Sequence, residues 1–232
     1  MNSIMYRVAN NGNYFDNKKM ARAAGFWYLA FTLLGAFTYM VVDEKLLAPG
    51  DASATLGNIN SNLMLFWLGF GALLLGYICF ILLASALRML FKPVSTGLGN
   101  LMVVFVFAGI VIVLVGRIAG VAALNEISND DVSRYFAFQA NAEMAAGLFW
   151  GLWLLPLGLL ILKSNLIPEA IGVLLLAACV CNLAVFALYF FAPALLPAAE
   201  PALMITGMIG EFSLILWLLI KGVKTQKQSA GF

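Results

Sequence analysis

Six long apolar runs separated by short polar stretches organise the chain. They cover residues 23–42, 62–87, 101–123, 135–162, 170–192 and 202–220. At ~1.5 Å per residue, each is long enough to cross the ~30 Å hydrocarbon layer of a bilayer. No run alternates with a period of two, and the polar stretches carry turn residues, so the pattern predicts helices throughout. Pro49-Gly50-Asp51 and Asn58-Ile59-Asn60 mark a polar loop after the first run. Pro193, Pro197 and Pro201 mark a Pro-rich loop before the sixth. Pro156 falls inside the fourth, where a kink is tolerable if neighbours satisfy the freed carbonyl.

The fold class expected is therefore all-α: a polytopic transmembrane bundle of six spans. Residues 1–21 form a polar N-terminal segment, 22–220 the transmembrane domain and 221–232 a basic tail. Asp43-Glu44-Lys45, rather than a small-residue cleavage site, follows the first run, which reads as a retained anchor.

Composition agrees and narrows the chemistry. Hydrophobic residues make up 63% of the chain and charged residues 10%, against roughly a quarter charged in soluble domains. Mean hydropathy is +0.98. The lipid bilayer is the partner this implies, while the net charge of +2 and the lack of a basic, aromatic-interleaved stretch exclude nucleic acid. There is no histidine. That removes His-ligated haem, His-based zinc sites and Ser–His or Cys–His nucleophile pairs. Cys79, Cys179 and Cys181 lie in apolar runs and read as small hydrophobes. No glycine-rich phosphate motif is present, no Asp falls inside a predicted span, and the Met residues have no regular spacing. No cofactor, metal site or catalytic residue is implied, and the sequence names no protein partner or oligomeric state.

Threading six spans puts Arg7, Lys18, Lys19, Arg22, Arg88, Lys92, Lys163, Lys221, Lys224 and Lys227 on one side. The opposite side receives Lys45 and Arg134 with Asp43, Glu44, Asp51, Glu126, Asp130, Asp131 and Glu200. By the positive-inside rule the lysine-rich side, with both termini, is cytoplasmic.

Ionisable groups inside hydrocarbon are costly and mark candidate sites. Three qualify: Arg117, Glu143 and Glu211. Helix rise puts them ~9, ~12 and ~15 Å from the outer ends of their spans, with Asn182 near the depth of Glu211. These four residues form the candidate polar cluster. One reading is a shared cavity that binds a carboxylate at Arg117 and a cation or proton at Glu143 or Glu211. A second is a structural pair between Arg117 and Glu143, and a third has Arg117 reaching to the interface. Gly116 and Gly120, with Gly147 and Gly151, have the four-residue spacing that lets helices approach, and predict close packing of spans three and four. Trp27, Tyr28, Tyr39, Tyr135, Tyr189 and Trp217 read as interfacial anchors, and Trp67, Trp150 and Trp153 as packing residues.

Several short motifs recur in a set order: residues 21–25, Pro49-Gly50-Asp51 with Ala54-Thr55 and Asn58-Ile59, Pro156-Leu157-Gly158, Lys163-Ser164 with Ile167-Pro168, residues 171–175, and Leu216-Trp217-Leu218-Leu219 with Lys221-Gly222-Val223. In this order the chain resembles the bacterial membrane-protein family catalogued as domain of unknown function 4386. The resemblance implies a multi-pass protein of the bacterial cytoplasmic membrane and supplies no activity or site residues. Three functions are compatible with these residues: a non-enzymatic component such as a scaffold, sensor or accessory subunit; a small ion or solute carrier or channel; and an intramembrane enzyme with a Glu base acting on a lipid-like substrate.

Overall fold

The computed structural model describes residues 2–125 and 129–224, and their side chains from Asp16 to Asn125 and from Asp131 to Lys224. Arg7, Glu126, Asp130 and Lys227 lie outside the described side chains. Among the described residues there is no strand. Six helices are long and apolar enough to span: Asp16–Leu46, Leu63–Leu90, Thr96–Asn125, Asp131–Ser164, Glu169–Phe191 and Pro193–Ile220. Each packs on its neighbours in sequence, and the first and sixth meet to close a ring. Large apolar side chains such as Met40, Met64, Ile78, Val111, Ile118, Val180, Ile205 and Leu216 face outward. A soluble protein would not expose so continuous an apolar surface; a bilayer covers it at no cost.

The observed helices extend past most of the predicted ends, because polar and proline residues are tolerated in terminal turns. The first is already helical from Asn2. The Pro-rich loop before the sixth span is also helical: Pro193–Leu195 is a 3-10 turn and the α-helix runs over Leu196–Ile220. Pro193 and Pro197 occupy opening turns, where the N–H they lack has no intrahelical partner anyway.

A second departure lies between the first two spans. The stretch read as a polar loop contains a helix, Ala52–Ser61. Asp51 caps it by accepting the Ala54 N–H at 2.9 Å, and the Ser53 hydroxyl donates to the same carboxylate oxygen at 2.9 Å. These two donors hold the Asp51 carboxyl below its ordinary range. The helix buries Thr55 and Ile59, and Ile59 joins Val42 and Leu46 in a small apolar cluster against Phe66, Leu124 and Phe136. It thereby covers the end of the bundle remote from the termini, called here the distal end. At the other end, the Arg22 guanidinium donates to the Ile220 carbonyl and the Lys224 N–H to the Leu166 carbonyl.

The fourth span is interrupted at Trp153, between segments ending at Leu152 and starting at Leu154. Pro156 has no N–H to offer the Leu152 carbonyl, so the helix is interrupted one turn before the proline. The first span has its own irregularity, a π-helical stretch over Thr38–Asp43. Both irregularities carry residues of the sites described next.

Candidate functional site

The four polar residues singled out from the sequence separate into two centres. Arg117 and Glu143 meet near the distal end. Glu211 and Asn182 lie together deeper in the bundle, between spans five and six.

At the distal centre Arg117 is 8% exposed, so it does not reach out to an interface. Its two terminal nitrogens bond both oxygens of Asp43, Nη1 to Oδ1 at 3.0 Å and Nη2 to Oδ2 at 2.6 Å. Nε lies 2.8 Å from Glu143 Oε1. The Nε–H does not point along that line, so this contact is an ion pair and not a directed hydrogen bond. Glu143 Oε1 also accepts from Gln139 Nε2 at 3.2 Å. The guanidinium carbon stands 5.1 Å from the centre of the Tyr39 ring, in cation–π range. Tyr39 and Asp43 are four apart on the π-helical stretch. Its i→i+5 bonding fits more residues into a turn and keeps both side chains in one column facing Arg117.

The glycines of span three explain how the guanidinium comes so close. A Cβ on Gly116 would stand 2.6 Å from the Ala142 Cβ, and one on Gly120 would overlap Gln139 Oε1. Both therefore admit span four. The second glycine pair behaves differently from expectation. Gly147 has nothing near its missing Cβ, while Gly151 packs on Asn182 and Cys179 of span five.

Asp43 is the partner that sequence reasoning missed. It directly follows the first apolar run and opens the charged stretch Asp43-Glu44-Lys45, so by sequence it reads as a residue outside the span. Its signal was positional: it ends a span at the same level as Arg117, and a bidentate carboxylate is the usual complement of a guanidinium. Distal to this centre, a cleft of about 340 Å³ is lined by residues 47–52, Thr55, Ser133, Phe136, Gln139 and Glu143 among others. Glu143 thus faces Arg117 on one side and the cleft on the other.

The deeper centre is built differently. Glu211 Oε2 accepts the Tyr28 hydroxyl at 2.5 Å, and among the described residues no basic group pairs with it. Tyr28 is 0% exposed. It is a buried hydrogen-bond donor, and the anchor reading is corrected on that point. Glu211 borders two spaces. On one side is a groove of about 80 Å³ with Asn182, Cys181 and Gly207; the Asn182 amide itself donates to the Ala178 carbonyl of its own helix at 2.9 Å. On the other is a chamber of about 220 Å³ inside the ring, between spans one, two, four and six. Its walls are Phe31, Tyr39, Tyr77, Phe80, Trp150 and Trp153, with Gly35, Gly76 and Leu73 completing the lining.

The aromatic walls support one another. Tyr77 stacks on Trp150 at 6.1 Å, and Phe80 meets Trp153 edge-on at 5.0 Å. Gly109 of span three leaves room for the Trp150 ring, which a Cβ there would approach to 2.7 Å. The second indole, Trp153, also meets the Tyr28 ring edge-on at 5.8 Å. Trp67, by contrast, is 50% exposed on the outer surface. The chamber was legible only in the spacings Tyr77/Phe80 and Trp150/Trp153, each three apart on one helix face. The two centres touch through Tyr39, whose ring lies against Arg117 and whose hydroxyl is 3.4 Å from that of Tyr77 in the chamber wall.

A family model described as a domain of unknown function (DUF4386) matches residues 23–222. The chain belongs to that family. The match spans all six membrane helices and both centres, so the two centres sit within the family domain. No curated protein and no solved structure matches the chain.

Proposed function

We propose that this member of the DUF4386 family is a non-enzymatic membrane component of the carrier type, moving a small monovalent cation in exchange for a proton at Glu211. The observation that carries this reading is the contrast in partners. Arg117 is neutralised in place by two carboxylates and an aromatic face. Glu211 has only a neutral phenol and two flanking cavities. A carboxyl in hydrocarbon without a basic partner holds either a proton or a cation, and that alternation is what an exchanger requires. The titratable and charged neighbours that bear on it are Tyr28 directly, Cys181 across the groove, and Tyr39 and Tyr77 across the chamber. Arg117, Asp43 and Glu143 lie beyond Tyr39.

The Arg117 centre then has a bracing role. It joins spans one, three and four at the distal end, and the alternative arrangement, three ionised groups separated in lipid, is prohibitive. The lysine-rich terminal end supports a cytoplasmic placement of that face in a bacterial cytoplasmic membrane, with the cleft beside Glu143 opening outward.

The test is proton movement in sealed proteoliposomes loaded with a pH-sensitive dye. Addition of Na⁺, K⁺, ammonium or a tetraalkylammonium salt is expected to change the internal pH for at least one cation. The Glu211→Gln protein, which keeps an acceptor for Tyr28, should give no change. The reading is wrong if no cation produces a Glu211-dependent signal.

A further inference from the structure

The walls of the chamber beside Glu211 identify the chemical class of cation. Resting on the carrier reading for the role of Glu211, we infer that the chamber binds a small organic ammonium ion, with its charge on the Glu211 carboxylate and its alkyl or aryl groups against Trp150, Tyr77 and Phe80.

A metal ion requires more of a site than these walls supply. To leave water, Na⁺ and K⁺ need several oxygen ligands in place of their hydration shells, as Ca²⁺ does with six or more, while Mg²⁺ keeps several of its waters and needs room for them. The side chains lining the chamber offer one carboxylate and the phenol oxygens of Tyr39 and Tyr77, and the others are hydrocarbon and indole. Among the described residues no group of three or more His, Cys, Asp or Glu converges anywhere. A bare alkali ion placed here would be under-coordinated. An ammonium carrying carbon substituents is already partly dehydrated, and aromatic faces attract it through their quadrupoles. Indole is the strongest such face, and two indoles line the chamber.

Size sets the upper limit. A volume of about 220 Å³ corresponds to about seven waters at ~30 Å³ each, and falls below the ~300 Å³ at which drug-sized ligands begin. Tetramethylammonium and benzyltrimethylammonium are of the appropriate scale. Bulky multi-ring cations are not.

Gly35 supplies a variant that blocks the space without attacking the fold. It lines the chamber, and a Cβ built on it meets nothing within 4 Å. Gly35→Leu therefore pushes an isobutyl group into the cavity while raising the helix propensity of the first span.

The experiment measures benzyltrimethylammonium binding to the purified full-length protein in nanodiscs, by calorimetry and by quenching of tryptophan fluorescence. Saturable binding is expected, with Na⁺ and K⁺ at equal ionic strength failing to compete. Gly35→Leu and Glu211→Gln should abolish it, and Trp150→Leu should weaken it roughly five- to thirtyfold while Trp150→Phe retains most of it. Unchanged binding in a folded Gly35→Leu protein overturns the inference, as does equal competition by K⁺. The two proposals fail separately. If Na⁺ or K⁺ drives Glu211-dependent proton movement while no organic ammonium binds, the chamber inference falls and the carrier reading stands. If benzyltrimethylammonium binds in the chamber but no cation moves protons through Glu211, the carrier reading falls and the ligand class stands.

Discussion

Two acidic sites in one bundle are held in opposite ways. At the distal end Asp43 and Glu143 close on a single guanidinium, with the Tyr39 ring against its face. Deeper in, Glu211 faces a neutral phenol and open space. Both lie in apolar surroundings, where an ionised group costs several kcal/mol unless compensated. The distal site obtains most of that compensation within the fold, one guanidinium serving two carboxylates, the second of which also faces the cleft. The deeper site does not, and its compensation has to come from outside. An intramembrane carboxylate is thus informative through its partner, not through its presence.

The sharpest way to break this contrast is to remove the cation from the distal site. Arg117→Ala leaves Asp43 and Glu143 facing each other without a counter-charge, and should destabilise the protein by about 3–5 kcal/mol. Adding Asp43→Asn and Glu143→Gln to that variant should return much of the loss, since the stranded charges go with the arginine. Thermal unfolding of the three proteins in detergent checks both statements. If the single and triple variants unfold alike, the distal centre is not a charge-compensated brace.

Next in size is the contact that brings span four to Arg117. Gly116→Ala forces a methyl onto the Ala142 Cβ and the Gln139 backbone, neither of which can swing away, and should cost about 1–3 kcal/mol. Gly120→Ala meets the tip of the Gln139 side chain, which can rotate aside. Its cost should be smaller and fall mainly on the Gln139–Glu143 hydrogen bond. Equal costs would mean that the two glycines do not face span four as described.

Glu211→Gln belongs on the other side of the comparison. It preserves the acceptor for Tyr28, so unfolding should shift by less than about 1.5 kcal/mol while cation-dependent proton movement is lost. A large stability loss with retained movement would exchange the roles of the two sites.

The smallest effect lies at the short distal helix. Because its two donors depress the Asp51 carboxyl, the cap is intact at neutral pH and is lost as pH falls through the depressed value. Hydrogen-exchange protection factors over residues 52–61, with the intrinsic pH dependence divided out, should therefore fall below that point, and Asp51→Ala should show the lower protection already at neutral pH. A parent protection factor unchanged across that pH range would contradict the cap.

Much of this architecture is legible in the residue pattern, for identifiable reasons. Spans are set by length and polarity, which are local properties. Pro156 marks its own break, and the Gly116/Gly120 spacing indicates the face on which span four lies. What escapes is whatever depends on contacts between distant segments. Asp43 and Arg117 are separated by 74 residues, and only the packed ring sets them side by side. Tyr28 reads as a belt residue because its span begins earlier than its apolar run does, which moves it inward. The short helix hides because its polar face, Asn58 and Asn60 included, resembles a loop. Its one local signal is the Asp51 cap. The aromatic chamber is an empty volume shared by four spans, and a volume leaves no periodicity in any one of them.

Which acidic site receives a cation can be seen in a structure of the protein with para-bromobenzyl-trimethylammonium. Anomalous scattering from bromine would locate the ligand without relying on the shape of its density. The expected result is a peak in the chamber bounded by Trp150, Tyr77 and Glu211, with the distal ion pair unchanged. A peak in the distal cleft beside Glu143, with the chamber lacking one, would contradict it.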